Sequence, residues 1–138
     1  MALTFTRVAT FVDTTDQSSY ATTSWTPSAN TPYLAAVSCR DETDPFNPDV
    51  PDSVTGNSLT WVQIGTVIDA ATRVRTTLFY AAGVASPAAG ATTAAFPDNQ
   101  EACVIHIDEI GGGLTSGVPV DTANQQSAVG SGVTSLAT

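Results

Sequence analysis

Apolar and polar residues alternate most densely between Ser58 and Gly83, SLTWVQIGTVIDAATRVRTTLFYAAG. This stretch predicts two strands, Leu59–Ile68 and Thr72–Ala82, joined by a short Asp69-Ala70-Ala71 turn. Successive side chains of a strand point to opposite faces. Leu59, Trp61, Gln63, Gly65 and Val67 therefore share one face of the first strand, and Thr60, Val62, Ile64, Thr66 and Ile68 the other. In the second, Val74, Thr76, Leu78 and Tyr80 oppose Arg73, Arg75, Thr77 and Phe79. Apolar residues on both faces predict a second sheet on one side, and cover or a neighbouring subunit on the other.

Strand-like alternation recurs along the rest of the chain. Residues 2–12 predict a strand with Leu3 and Phe5 on one face and Thr4, Thr6 and Val8 on the other. After the polar turn 13–18, Ser19–Thr26 predicts a second, in which Tyr20, Thr22, Ser24 and Thr26 alternate with Ala21, Thr23 and Trp25 until Pro27 ends it. Tyr33–Arg40 predicts a third, with Tyr33, Ala35, Val37 and Cys39 opposite Leu34, Ala36, Ser38 and Arg40. Its small residues suit the middle of a packed sheet.

Past the hairpin, a loop of small residues over 83–90 precedes a short strand, Ala91–Phe96, and Pro97–Glu101 turns the chain. Ala102–Ile110 is a further strand, with Cys103, Ile105 and Ile107 inward and Val104, His106, Asp108 and Ile110 outward. Beyond the glycines at 111–113, strands are predicted around Val118–Val120 and from Val133 to the end at Thr138. An unfinished last strand leaves an edge that invites pairing with another chain.

Seven or eight short strands between Gly, Pro, Asn and Asp turns, with no amphipathic helix, predict a single all-β domain over 1–138. The architecture is an antiparallel β-sandwich of immunoglobulin-like or jelly-roll type. It carries an acidic, Pro-rich loop at 41–57 and an extended C-terminal tail at 121–138. Pro45, Pro48 and Pro51 break any ladder within that loop, and the loop reads as a solvated arm or one that docks on a neighbour.

The net charge of −9 arises from 13 acids against Arg7, Arg40, Arg73 and Arg75, with no lysine. Nucleic-acid backbones are bound by clustered cations, so direct contact with DNA or RNA is not expected. Anionic membranes would repel the same surface. The amino terminus shows no basic segment followed by an apolar one, and no apolar run approaches the roughly 20 residues of a membrane span. The sequence therefore predicts a product made in a cytoplasm and kept in solution there.

Candidate chemistry is sparse. Asp41, Glu42, Asp44, Asp49 and Asp52 offer hard oxygen ligands for calcium, but their spacing does not follow the D-x-D-x-D-G pattern with a distal Glu. His106 and Asp108 share a strand face, yet no nucleophile or oxyanion donor joins them. Asp108 and Glu109 are adjacent and so point to opposite faces, which prevents them from flanking one glycosidic bond. Cys39 and Cys103 fit two buried thiols or an inter-strand disulfide, and no CxxC spacing supports a metal or redox motif. No catalytic residue, cofactor or metal site is predicted. Trp25, Trp61 and Tyr33 would serve a carbohydrate-binding module as stacking platforms if exposed, and the core if buried.

The series LTWVQIGT, RTTLFYAAG, ACVIHIDEIGGG and QQSAVG resembles a β-sandwich module of tailed-phage virion proteins and phage-derived bacterial genes. Leu59, Thr60, Trp61, Phe79, Tyr80, Ala81, Cys103, Asp108, Glu109 and Gly111 carry the resemblance, which covers roughly residues 19–130. Ile110 stands where the module has an aromatic, and the module continues through further strands where this chain stops. The ending is then a compact variant, or a neighbouring subunit completes the sheet. The resemblance implies a non-enzymatic virion structural protein. Its size suits a capsid decoration protein bound to the major capsid protein outside the shell, with a tail or fibre subunit, or a carbohydrate-binding module, as alternatives. Homo-oligomers are expected. The residues predicted to bind partners are Pro45, Phe46 and Val50 of the loop and Val133 and Leu136 of the tail.

Overall fold

The computed structural model describes residues 3–41, 48–69 and 71–112. Eight strands form among them: β1 (Thr4–Asp13), β2 (Gln17–Ala21), β3 (Tyr33–Arg40), β4 (Ser53–Thr55), β5 (Trp61–Asp69), β6 (Val74–Ala81), β7 (Thr93–Gln100) and β8 (Ala102–Gly111). They make a five-stranded sheet, β1-β8-β3-β6-β5, and a three-stranded sheet, β2-β7-β4, antiparallel throughout. The all-β sandwich expected from the alternation is the observed fold.

The winding is that of a jelly roll. In that fold an antiparallel ribbon folds over so that the first strand meets the last and inner strands pair in turn. β1 with β8, β2 with β7 and β3 with β6 follow this order. The next pair would be β4 with β5, but β5 instead joins β6 on the larger sheet.

β3 shows how the sequence builds the core. It lies between β8 and β6, and Tyr33, Ala35, Val37 and Cys39 are buried while the intervening residues are not. Ile105, Ile107 and Cys103 of β8 and Phe79 and Ala81 of β6 extend this inner face. Tyr20, Ala94, Phe96 and Val54 meet it from the smaller sheet, and apolar area removed from water at this seam drives the two sheets together. Tyr20 packs edge-on against Phe96 with ring centroids 5.9 Å apart, and Trp25 against Tyr33 at 5.1 Å.

Several local readings are corrected. The second strand ends at Ala21 rather than Thr26, and Trp25, paired through an isolated bridge with Gly90, lies buried with Tyr20 and Thr22 instead of opposite them. β7 runs through Pro97 to Gln100, where a turn was expected. The register explains this: Ser19 faces Ala95 but Gln17 faces Gln100, so residues 96–99 bulge out of the ladder where a missing N–H costs nothing. Both edge strands of the larger sheet also carry a bulge, between Arg7 and Ala9 and between Gln63 and Gly65. Each bulge shifts the alternation. Val8 joins Ala9 on the core side, and beyond Ile64 it is Thr66 and Ile68, opposite Thr77 and Arg75, that face inward.

The loop at 41–57 is not a free arm where it is described. Residues 53–55 are the edge strand β4, paired with Thr93–Ala95, and Pro48, Pro51, Val54 and Asn57 are buried. Three contacts fasten the segment before β4. Arg75 Nε donates to the Pro48 carbonyl, Cys39 Sγ donates to the Asp49 carbonyl at 3.2 Å, and Asp49 N donates to Gln100 Oε1 at 3.2 Å.

Candidate partner-binding surface

Apolar exposure concentrates on the two edge strands of the larger sheet and on the residue leading into β1. Phe5 is 59% exposed, Val12 63%, Val62 49% and Leu3 53%. Phe5 and Val12 are in register with Ile110 and Val104 of β8, so both lie on the sheet face turned away from the smaller sheet. Val62 holds the same face on β5, opposite Tyr80. The bulge at Val8 is what brings Phe5 and Val12 to one face, since seven residues of unbroken alternation would have separated them.

The rest of that face mixes small, polar and apolar groups. Asp108 accepts from Arg7 Nε at 2.5 Å and Nη2 at 3.2 Å, a two-point contact across β1 and β8. His106 lies between Thr10 and Ala36. It shares the face with Asp108 as expected, and the Asp108 carboxylate is engaged by Arg7. Glu109 takes partners on the other side: its Oε2 accepts from Ser28 Oγ at 3.1 Å and Tyr33 Oη at 3.2 Å. Asp108 and Glu109 thus point away from each other.

Of the residues predicted to bind partners, Val50 is half-buried in the fastened segment before β4. Pro45, Phe46, Val133 and Leu136 lie outside the described residues, as do the strands expected at 118–120 and from 133. Phe5 and Val12 were not singled out from the sequence. An exposed Phe on a strand reads like any core residue until its register is known.

Acidic residues gather at the end of the sandwich where β7 turns into β8. Gln100 is fully buried, and its Nε2 donates to Asp49 Oδ2 at 3.0 Å and to the carbonyls of Asn99 and Asp98 at 3.1 and 3.4 Å. Burial, aided by the nearby Asp41 and Asp98 charges, raises the Asp49 carboxyl above its ordinary value. Beside this network an open cleft of about 390 Å³ is lined by Thr14, Asp16, Arg40, Glu101 and Ala102. It holds charges of both signs. Among the described residues no group of three or more His, Cys, Asp or Glu side chains is placed to hold a metal ion.

Trp25 and Tyr33 are 8% and 0% exposed, and Trp61 packs against the core. These three rings form no exposed stacking platform. Comparison with protein-family models, with curated proteins and with solved structures finds no match to this chain.

Proposed function

We propose that this protein is a non-enzymatic structural component of a phage virion, a capsid decoration protein seated on the outside of the shell against the major capsid protein. The observation that carries this reading is the apolar exposure of both edges of the larger sheet, at Phe5, Val12 and Val62. Long strand edges with apolar side chains suit contacts with other chains, whereas an active site needs convergent polar groups. The sequence resemblance to tailed-phage virion modules supports the same reading. Its matching residues Trp61, Phe79, Tyr80, Ala81, Cys103, Asp108, Glu109 and Gly111 lie on β5, β6 and β8 of one sheet. Jelly rolls also serve as capsid domains, a likeness at the level of fold alone. The acidic surface fits a position on the exterior, away from the packaged nucleic acid.

Density-gradient separation of particles from the native host, followed by immunogold labelling, tests the proposal. The protein is expected to co-migrate with particles and to be labelled evenly over the shell. Label confined to the tail would transfer it to a tail role, and absence from particles would reject both.

A further inference from the structure

We infer that the outer edge of β1 is a self-association surface, at which two copies of this chain pair antiparallel about a two-fold axis centred between Val8 and Ala9. The inference rests on the register of β1 and shares the exposed Phe5 and Val12 with the virion reading, assigning those two to a second copy of this chain and leaving Val62 on the opposite edge for other partners.

β1 is ten residues long and, among the described residues, lies at the edge of the larger sheet with only β8 beside it. An edge of this length is ordinarily blunted by lysine, proline or inward charge. β1 has no lysine or proline, and its two charged residues are both engaged. Arg7 is held by Asp108, and Asp13 accepts from Thr15 N at 2.8 Å and from Gln17 Nε2 at 3.1 Å. Its remaining blunting device is the bulge.

The bulge itself selects the register. Against β8, residues 5, 7, 10 and 12 face outward, and 4, 6, 9, 11 and 13 face the core, with Val8 beside them. In a pair centred between Val8 and Ala9, Phe5 meets Val12 of the second copy, Arg7 meets Thr10, Thr6 meets Phe11 and Thr4 meets Asp13. Every outward residue opposes an outward one. Val8 of each copy then stands opposite Ala9 of the other, so the two-residue bulge step of one strand faces that of its partner and the bulges cancel. Moving the centre by one residue sets Val8 against Arg7 and breaks the match.

The two most exposed large apolar residues of the described chain, Phe5 and Val12, are therefore covered twice by one two-fold operation. Charge permits the approach, because only one of the chain's 13 acids lies on β1, at its last residue, and it would meet a threonine. β2, the neighbouring edge of the smaller sheet, exposes Ser18, Ser19 and Ala21, which are small and uncharged. Two five-stranded sheets would become one continuous sheet of ten strands.

Site-directed cross-linking of the full chain tests the register. Phe5→Cys and Val12→Cys are made separately, and each is oxidised alone and as an equal mixture. The mixture is expected to give a disulfide-linked dimer joining position 5 to position 12, and neither single variant to cross-link comparably. Light scattering across a concentration series should give twice the monomer mass for the unmodified protein. Val12→Asp, at an exposed position, should keep the fold by circular dichroism yet weaken the dimer roughly tenfold or more. A monomer at all concentrations, equal cross-linking of the single variants, or a dimer indifferent to Val12→Asp would overturn the inference.

Discussion

Cys39 of β3 and Cys103 of β8 stand directly opposite one another, both buried and both free. The backbone bond from Ile110 N to the Pro32 carbonyl, 2.9 Å, sets the parity of this ladder and places the pair at a site without backbone hydrogen bonds. At such sites opposing side chains approach most closely. Two buried thiols thus fill the seam between the sheets as small side chains.

Alkaline sensitivity follows from that burial. Desolvation pushes both thiols from 9.0 up to about 12, and Tyr20 from 10.0 to about 12. Between these values the unfolded chain releases protons that the folded chain retains, so folding stability is full below about pH 9 and falls as the pH rises towards 12. Urea midpoints measured from pH 7 to 11 should hold to about pH 9 and decline above it. The decline should be shallower in a Cys39→Ala/Cys103→Ala protein, although that protein starts from a lower midpoint. A thiol reagent at pH 8 should leave the native protein unmodified and label two cysteines in urea.

Asn57, like Gln100, makes four side-chain hydrogen bonds. Its Nδ2 donates to the carbonyls of Gly90, Trp25 and Ala88 at 2.9, 3.2 and 3.3 Å, and its Oδ1 accepts from Thr92 Oγ1 at 2.8 Å. It also holds a φ of 61°, a left-handed conformation that asparagine tolerates better than most residues. Replacing it with alanine strands buried carbonyls and should cost about 3 kcal/mol. Asn57→Asp should cost more, because a carboxylate would face three carbonyl oxygens. Denaturant titration of the two variants ranks them, and an aspartate variant as stable as the alanine one would refute this account.

The two tryptophans should respond differently to the same substitution. Trp25 Nε1 donates to Thr92 Oγ1 at 3.0 Å in a buried site, whereas Trp61 Nε1 is buried without a hydrogen-bond partner. Trp25→Phe loses a bond and should destabilise by about 1–2 kcal/mol beyond its packing loss. Trp61→Phe loses packing area but relieves an unsatisfied donor, so its net cost should stay within about 1 kcal/mol. Chemical denaturation monitored by circular dichroism separates the two cases.

The legible parts of the fold are those in which local pattern and tertiary environment agree. The bounds of β3 are legible to the residue, because Pro32 and Asp41 flank it, both its neighbours pair without a bulge, and every second residue enters the core. The faces of β1 and β5 were not legible. A bulge is one extra residue with no composition of its own, and at Val8 and Ile64 ordinary β-formers occupy it. β4 was hidden for another reason: three residues inside a Pro-rich stretch are too few to show a period. Gly56 and Asn57 read only as the end of the loop at 41–57. The hydrogen bonds of the asparagine reach Trp25 and Thr92, which are distant in sequence, and the glycine sits where an added Cβ would lie 2.2 Å from the Ala91 carbonyl oxygen.

The pairing of β1 with β8 sets an order of events during synthesis. β1 is made first among the strands, and its partner in the sheet is the last of the described strands. At roughly 5–20 residues per second, the ribosome needs about 5–20 s to bring β8 into reach. Until then Phe5, Phe11 and Val12 belong to a strand with no ladder on either side. β3 and β6 can already pair in that interval, so the sheet grows outward from its centre and the earliest-made of the described strands is the one that closes it.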